Sequence, residues 1–86
     1  MERPEDYESV SKLDISNKGL IELPSWVSQC HNLKELYCKN NKITKLDNLP
    51  KTLKELICYN NLLKYEFEHT LENIRNYNNK QNKLPK

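Results

Sequence analysis

The chain contains no alanine, one glycine, one methionine, one tryptophan and one phenylalanine, and neither sign of charge dominates it. Each scarcity excludes something. A lone Gly19 leaves no glycine-rich loop to cradle a phosphate, and the G-x-S-x-G frame of a nucleophilic serine is missing. Fourteen Lys and Arg against 12 Asp and Glu give a net charge of +2. That is far from the basic excess needed to neutralise a phosphate backbone, so nucleic acid is not an expected partner. No window approaches the roughly 18 apolar residues of a membrane helix, and the opening MERPEDYESV places acidic residues before any apolar run, unlike a secretory leader. No membrane partner is expected. Cys30, Cys38 and Cys58 are too few, and odd in number, for a disulfide framework, which points to a reducing compartment and a cytoplasmic location.

What remains is a short, polar chain that must use its apolar residues economically. Its 86 residues allow one small domain, and its mean hydropathy is -0.94. Yet 13 Leu, 5 Ile and 2 Val are too many for a plainly disordered segment. Their placement is periodic. LKELYCKNNKI (33–43) and LKELICYNNLL (53–63) are nearly one string, and both follow L-x-x-L-x-L-x-x-N-x-L with cysteine in the sixth place. VSKLDISNKGL (10–20) fits with Lys18 at the asparagine position, and LENIRNYNNKQ (71–81) fits with Asn76 and Gln81 in two apolar places. Units therefore start near residues 10, 33, 53 and 71.

These four strings resemble the leucine-rich repeat family over nearly the whole chain, at the period that family shows. The segment LDNLPKTLKEL (46–56) is also similar to the short, proline-containing repeats of bacterial effectors and of large DNA viruses of amoebae. If the chain is viral, its compartment is the host cytoplasm. The resemblance implies an α/β solenoid, with a short parallel β-sheet on the concave side and short helical or irregular arcs on the convex side. It also implies a protein-binding role without catalysis or cofactor.

Strand alternation leads to the same architecture from the residues alone. The fourth and sixth positions of each unit share one face, which sends Leu13, Ile15, Leu36, Cys38, Leu56, Cys58 and Ile74 inward as columns. Asn41, Asn61 and Asn79 stand where the chain leaves each strand, where a side-chain amide can satisfy turning backbone. Leu20, Ile43 and Leu63 then return to the core. In the first arc, Leu23, Trp26 or Val27, and Cys30 follow at helix-like spacing after a proline, which suggests a short helical or 3₁₀ turn. In the third, Phe67 takes the place of Leu49 and Tyr65 that of Leu46. Residues 1–9 form an N-terminal cap or tail, and residues 10–85 hold about four repeats, the last degenerate and serving as a cap.

The third, fifth and seventh positions project onto the concave face. Reading across rungs, Glu35 and Glu55 share one row, Tyr37, Ile57 and Arg75 another, and Lys39, Tyr59 and Tyr77 a third. Adjacent rungs lie roughly 4.8 Å apart, so Tyr37 is expected beside Ile57 and Tyr59 beside Tyr77. A tyrosine-rich, partly apolar patch flanked by Lys and Glu has the composition of a protein interface, and these eight residues are the candidate binding surface. The same rows admit a purely structural reading, as cross-strand pairs that stabilise the sheet. A self-associating chain, joined through this patch or an open end of the stack, is the alternative function. Cys38 and Cys58 occupy inward leucine positions and read as buried small apolar groups, and Cys30 falls on an apolar arc position. No paired C-x-x-C or H-x-x-x-H spacing supports a metal, and nothing in the spacing brings His31 or His69 to a thiol. Placing a charge in the inward column tests this reading: Leu36→Asp is expected to cost several kcal/mol, on the order of 4, and to abolish the cooperative thermal transition seen by circular dichroism.

Overall fold

The computed structural model describes residues 3–83. Residues 1–2 of the expected N-terminal segment and 84–85 of the expected fourth unit lie outside the described residues. Three strands, β1 (Lys12–Asp14), β2 (Glu35–Tyr37) and β3 (Glu55–Ile57), form one parallel sheet in the order β1-β2-β3. The register runs Leu13, Leu36, Leu56 across the rungs, as the repeat alignment requires. Each strand is only three residues long, but the ladder continues past it: Ile15 N–H donates to Tyr37 O (2.8 Å) and Cys38 N–H to Ile57 O (2.8 Å).

The inward columns form the core. Ile15, Leu36 and Cys38 are fully buried, joined by Leu33, Ile43, Leu46 and Leu53 from the turns and arcs. Leu13 and Leu56 are only half-buried. They belong to edge strands and lack a neighbouring rung on one side. After Pro24, a 3₁₀ turn over Ser25–Gln29 buries both Trp26 and Val27. Tyr65 and Phe67 pack on the core as stacked rings with centroids 4.9 Å apart, and the Tyr65 hydroxyl accepts from Leu46 N–H at 2.9 Å. On the N-terminal side, a 3₁₀ turn over Tyr7–Ser9 brings the Tyr7 ring to 6.2 Å from Trp26, and Asn32 Nδ2 donates to Glu8 O at 2.8 Å.

The expected fourth strand is not one. Residues Leu71–Lys83 form a helix, α1. Thr70 caps it by accepting from Asn73 N–H at 3.1 Å, and Glu72 places a carboxylate near its positive end. The reason lies in Asn76, which a strand would have turned into the apolar interior with no partner for its amide. In the helix Asn76 is exposed, while Ile74 still reaches the core and is fully buried. Asn79, expected in the asparagine row, is likewise exposed on α1.

Two consecutive asparagines turn the chain out of each of the last two strands. Asn17, Asn40 and Asn60, the eighth residues of their units, all adopt the left-handed conformation, with φ of 59°, 57° and 59°. Asparagine tolerates that region better than other side-chain-bearing residues. The ninth-position Asn41 is buried and uses its whole amide. Its Nδ2 donates to Ile15 O and Cys38 O at 3.0 Å, and its Oδ1 accepts from Lys18 N–H (2.9 Å) and Leu20 N–H (3.0 Å). Asn61 repeats this one rung on, donating to Cys38 O (2.9 Å) and Cys58 O (3.0 Å) and accepting from Ile43 N–H (3.0 Å). Lys18, at the same place in the first unit, offers no such amide. Removing the Asn41 amide strands backbone groups on two rungs, so Asn41→Ala is expected to destabilise the chain by about 3 kcal/mol in urea unfolding, and Asn61→Ala by less, because Asn61 accepts from one N–H and is only half-buried.

Candidate functional site

The outward face of the sheet carries most of the expected surface residues, on β2 and β3 and the residues that follow them. Register pairing sets Glu35 beside Glu55 and Tyr37 beside Ile57. Past the strands, Asn40 N–H donates to Tyr59 O at 3.1 Å, holding the seventh positions, Lys39 and Tyr59, on adjacent rungs. Two ammonium groups cover two rings. Lys12 Nζ lies 5.3 Å from the Tyr37 centroid, and Lys39 Nζ lies 5.5 Å from that of Tyr59, both within cation–π range. Tyr59 is 60% exposed.

Side-chain chemistry within the patch is coupled. The Tyr37 hydroxyl donates to Glu35 Oε1 at 2.5 Å and lies 3.3 Å from Glu55 Oε2, bridging two carboxylates that would otherwise repel across the rungs. This hydrogen bond lowers the Glu35 pKa below the usual carboxylate value, with Lys12 adding a smaller effect, and raises that of Tyr37. Asp14, one rung away, accepts from Ser16 N–H at 3.0 Å, which lowers its pKa as well.

Two of the eight expected surface residues lie elsewhere. Tyr77 is not on a fourth strand beside Tyr59; it sits on α1, with its ring centroid 5.2 Å from Tyr65 and 5.8 Å from Phe67. Arg75 does not project from a sheet either. Its Nη2 donates to Leu53 O (2.7 Å) and to Pro50 O and Lys51 O (both 3.2 Å), clamping α1 onto the second arc. Both displacements follow from the helix replacing the strand. That helix also creates a cleft of about 480 Å³ against the second and third arcs, lined by Tyr65, Tyr77, Asn78, Asp47 and their neighbours, which strand-based alternation had no means of finding. The signal for it was the Thr70 cap followed by Leu71 and Ile74 at helical spacing.

The thiols are held protonated. Burial pushes Cys38 up to about 12, with the neighbouring Cys58 adding to the shift, and burial also raises Cys58 and Cys30. His69 directs its Nε2 at Tyr65 O (3.1 Å), while Cys58 Sγ lies 3.7 Å from the His69 carbonyl oxygen. His31 pairs with Glu8 at 3.2 Å. Neither imidazole is positioned by these contacts to take a proton from a thiol.

The Tyr37–Glu35 bond yields a titration test. A carboxylate with a depressed folded pKa stays ionised until the pH falls through that lowered value. In a side-chain carboxyl NMR titration, Glu35 is therefore expected to protonate below the ordinary glutamate range, and Tyr37→Phe to move its midpoint back up. An unchanged midpoint in the variant would remove the hydroxyl as the cause.

A family model of leucine-rich repeats in two copies matches residues 8–51, just over half the chain, covering the first two units. No curated protein and no solved structure matches the chain. Leucine-rich repeats generally serve as protein–protein interaction modules and are typically not enzymes. Among the described residues, no helix is long and apolar enough to cross a membrane. The family match falls on β1 and β2 and the asparagine turns that follow them, and on these grounds the chain belongs to the leucine-rich repeat family.

Proposed function

We propose that this chain is a short solenoid that binds a protein partner through its concave face, with Tyr37, Ile57 and Tyr59 as apolar anchors and Glu35, Lys39 and Glu55 as the polar rim. The observation that carries the reading is the Tyr59 ring, 60% exposed on the same face as Ile57 and Tyr37 and with a lysine ammonium beside it. Aromatic groups ringed by mixed charge are what a partner can desolvate at the centre of an interface. Tyr77 and Arg75 belong to the support of the third repeat rather than to this surface. Three reduced, buried thiols suit a reducing compartment, so the binding is proposed to take place in the cytoplasm.

A photo-reactive residue in place of Tyr59 tests the proposal against the same residue at Ser28, on the opposite arc. Crosslinking to a protein is expected at position 59 and not at 28. Tyr59→Ala should weaken capture of that same protein by about tenfold, the effect of losing an exposed aromatic anchor, while shifting the melting temperature little. Equal crosslinking from both positions would overturn the concave face as the binding surface.

A further inference from the structure

The sheet ends at β3, and the parity of its ladder shows which way its unused backbone groups point. Glu55 N–H donates to Lys34 O (3.0 Å), while Ile57 O and Tyr59 O accept from Cys38 and Asn40 (2.8 and 3.1 Å). Odd residues of this segment thus face β2, and the N–H and C=O of Leu56 and Cys58 face away from it. A fourth repeat would have met them with its own strand. Instead α1 fills the room beneath, where Ile74 enters the core and Arg75 clamps the second arc. Among the described residues no strand pairs with β3 on that side.

Cys58 is itself buried, and two observations distinguish this edge from the paired side of the sheet. Leu36, flanked by rungs on both sides, is 0% exposed, whereas its register partner Leu56 is only half-buried. Cys38 O receives amide protons from its own rung, through Asn41 (3.0 Å), and from the next, through Asn61 (2.9 Å). Cys58 O receives one from Asn61 (3.0 Å), and among the described residues no asparagine of a further rung reaches it.

We infer that the β3 edge binds one extended segment of a partner protein, which adds as a fourth parallel strand. The edge selects this occupant because a single strand needs only its main-chain groups, whereas a whole repeat, or a second copy stacked rung on rung, would need the room where Ile74 and Arg75 of α1 already pack. Main-chain bonds to Leu56 and Cys58 supply the attraction, and the flanking side chains supply the specificity. Beside Glu55 the segment presents lysine or arginine, just as Lys12 stands beside Glu35 on the other side of the sheet. Its next residue turns inward against half-buried Leu56 and is large and apolar. The one after lies on the concave face against Ile57 and is β-branched, and the fourth turns inward beside Cys58, which is already buried with its Sγ 3.7 Å from His69 O, and is small. The inference rests on the proposed partner-binding role and adds the partner's chemistry, a basic residue followed by large apolar, β-branched and small residues in extended conformation.

The probe is a synthetic peptide with lysine, leucine, valine and alanine in successive places, flanked by serines and blocked at both ends. The full chain is titrated with it while backbone amide exchange is followed by NMR. At saturation the Leu56 and Cys58 amides are expected to exchange about tenfold more slowly, whereas Leu36, already inside the sheet, is unchanged. A peptide N-methylated at the valine nitrogen and at that of the serine after alanine, the two amides that the ladder parity aims at Leu56 O and Cys58 O, should lose that protection, and Glu55→Gln should weaken the binding severalfold without altering the fold. Unchanged exchange at Leu56 and Cys58, or equal protection by the methylated peptide, overturns the edge pairing. A partner that crosslinks at position 59 yet leaves those two amides unprotected overturns it too, while leaving the concave-face reading intact.

Discussion

The Asn41 amide is the point on which the rest of the structure depends. A chain that leaves a strand only three residues long must turn within the width of one rung. It thereby exposes carbonyls and N–H groups to an interior that offers them no water. One side chain, two donors and one acceptor oxygen, meets these groups on two rungs together. The residue before it, Asn40, takes the left-handed conformation that directs the chain into the turn. Asn60 and Asn61 repeat the device, and Asn60 Nδ2 reaches Asn40 Oδ1 at 2.6 Å to link the rungs outside as well as inside. With the turns held in this way, thin columns of leucine, isoleucine and cysteine are sufficient as a core.

Short stacks have ends, and here the two ends are closed by different means. On the N-terminal side the chain lays Tyr7 against Trp26 and hydrogen-bonds Glu8 to Asn32, covering the first arc. On the C-terminal side it changes secondary structure altogether. Helix α1 is too polar to form another apolar rung, yet Ile74 reaches the core while Arg75 and Asn78 satisfy carbonyls of the second arc and its flanks, including Leu46 O at 2.8 Å. This closure protects the interior beneath the sheet without pairing the last strand. The C-terminal closure and an available edge are therefore two aspects of one arrangement.

The concave patch is built from the same alternation that forms the core. If Leu36, Cys38, Leu56 and Cys58 point inward, then Tyr37, Lys39, Ile57 and Tyr59 must point outward, and the short rung spacing gathers them into one surface. Its internal bonds order it in advance of the contact proposed above. Tyr37 is held by Glu35, and ammonium groups lie over both tyrosine rings. Fewer side chains remain to be ordered on contact, and that ordering is a principal cost of association.

The strands of the first three units, their register, the inward Cys38 and Cys58 and the amides of Asn41 and Asn61 were legible in the sequence, because a repeated string imposes the same local geometry each time it occurs and the period of two along a strand sorts its side chains. Trp26 and Val27 after Pro24 were legible for a similar reason, through local spacing. The left-handed role of Asn17, Asn40 and Asn60 was present as a column of identical residues, but alternation assigns no backbone angle and so passed over it. The fate of residues 71–83 was decided only by the tertiary structure. L-x-x-I fits both a strand repeat and a helical face, and what separates them is whether Asn76 would find a partner inside the stack. That choice moved Tyr77 and Arg75 from the concave face to the C-terminal closure and left β3 as the edge of the sheet, because a side chain's surroundings depend on which distant segments pack against it.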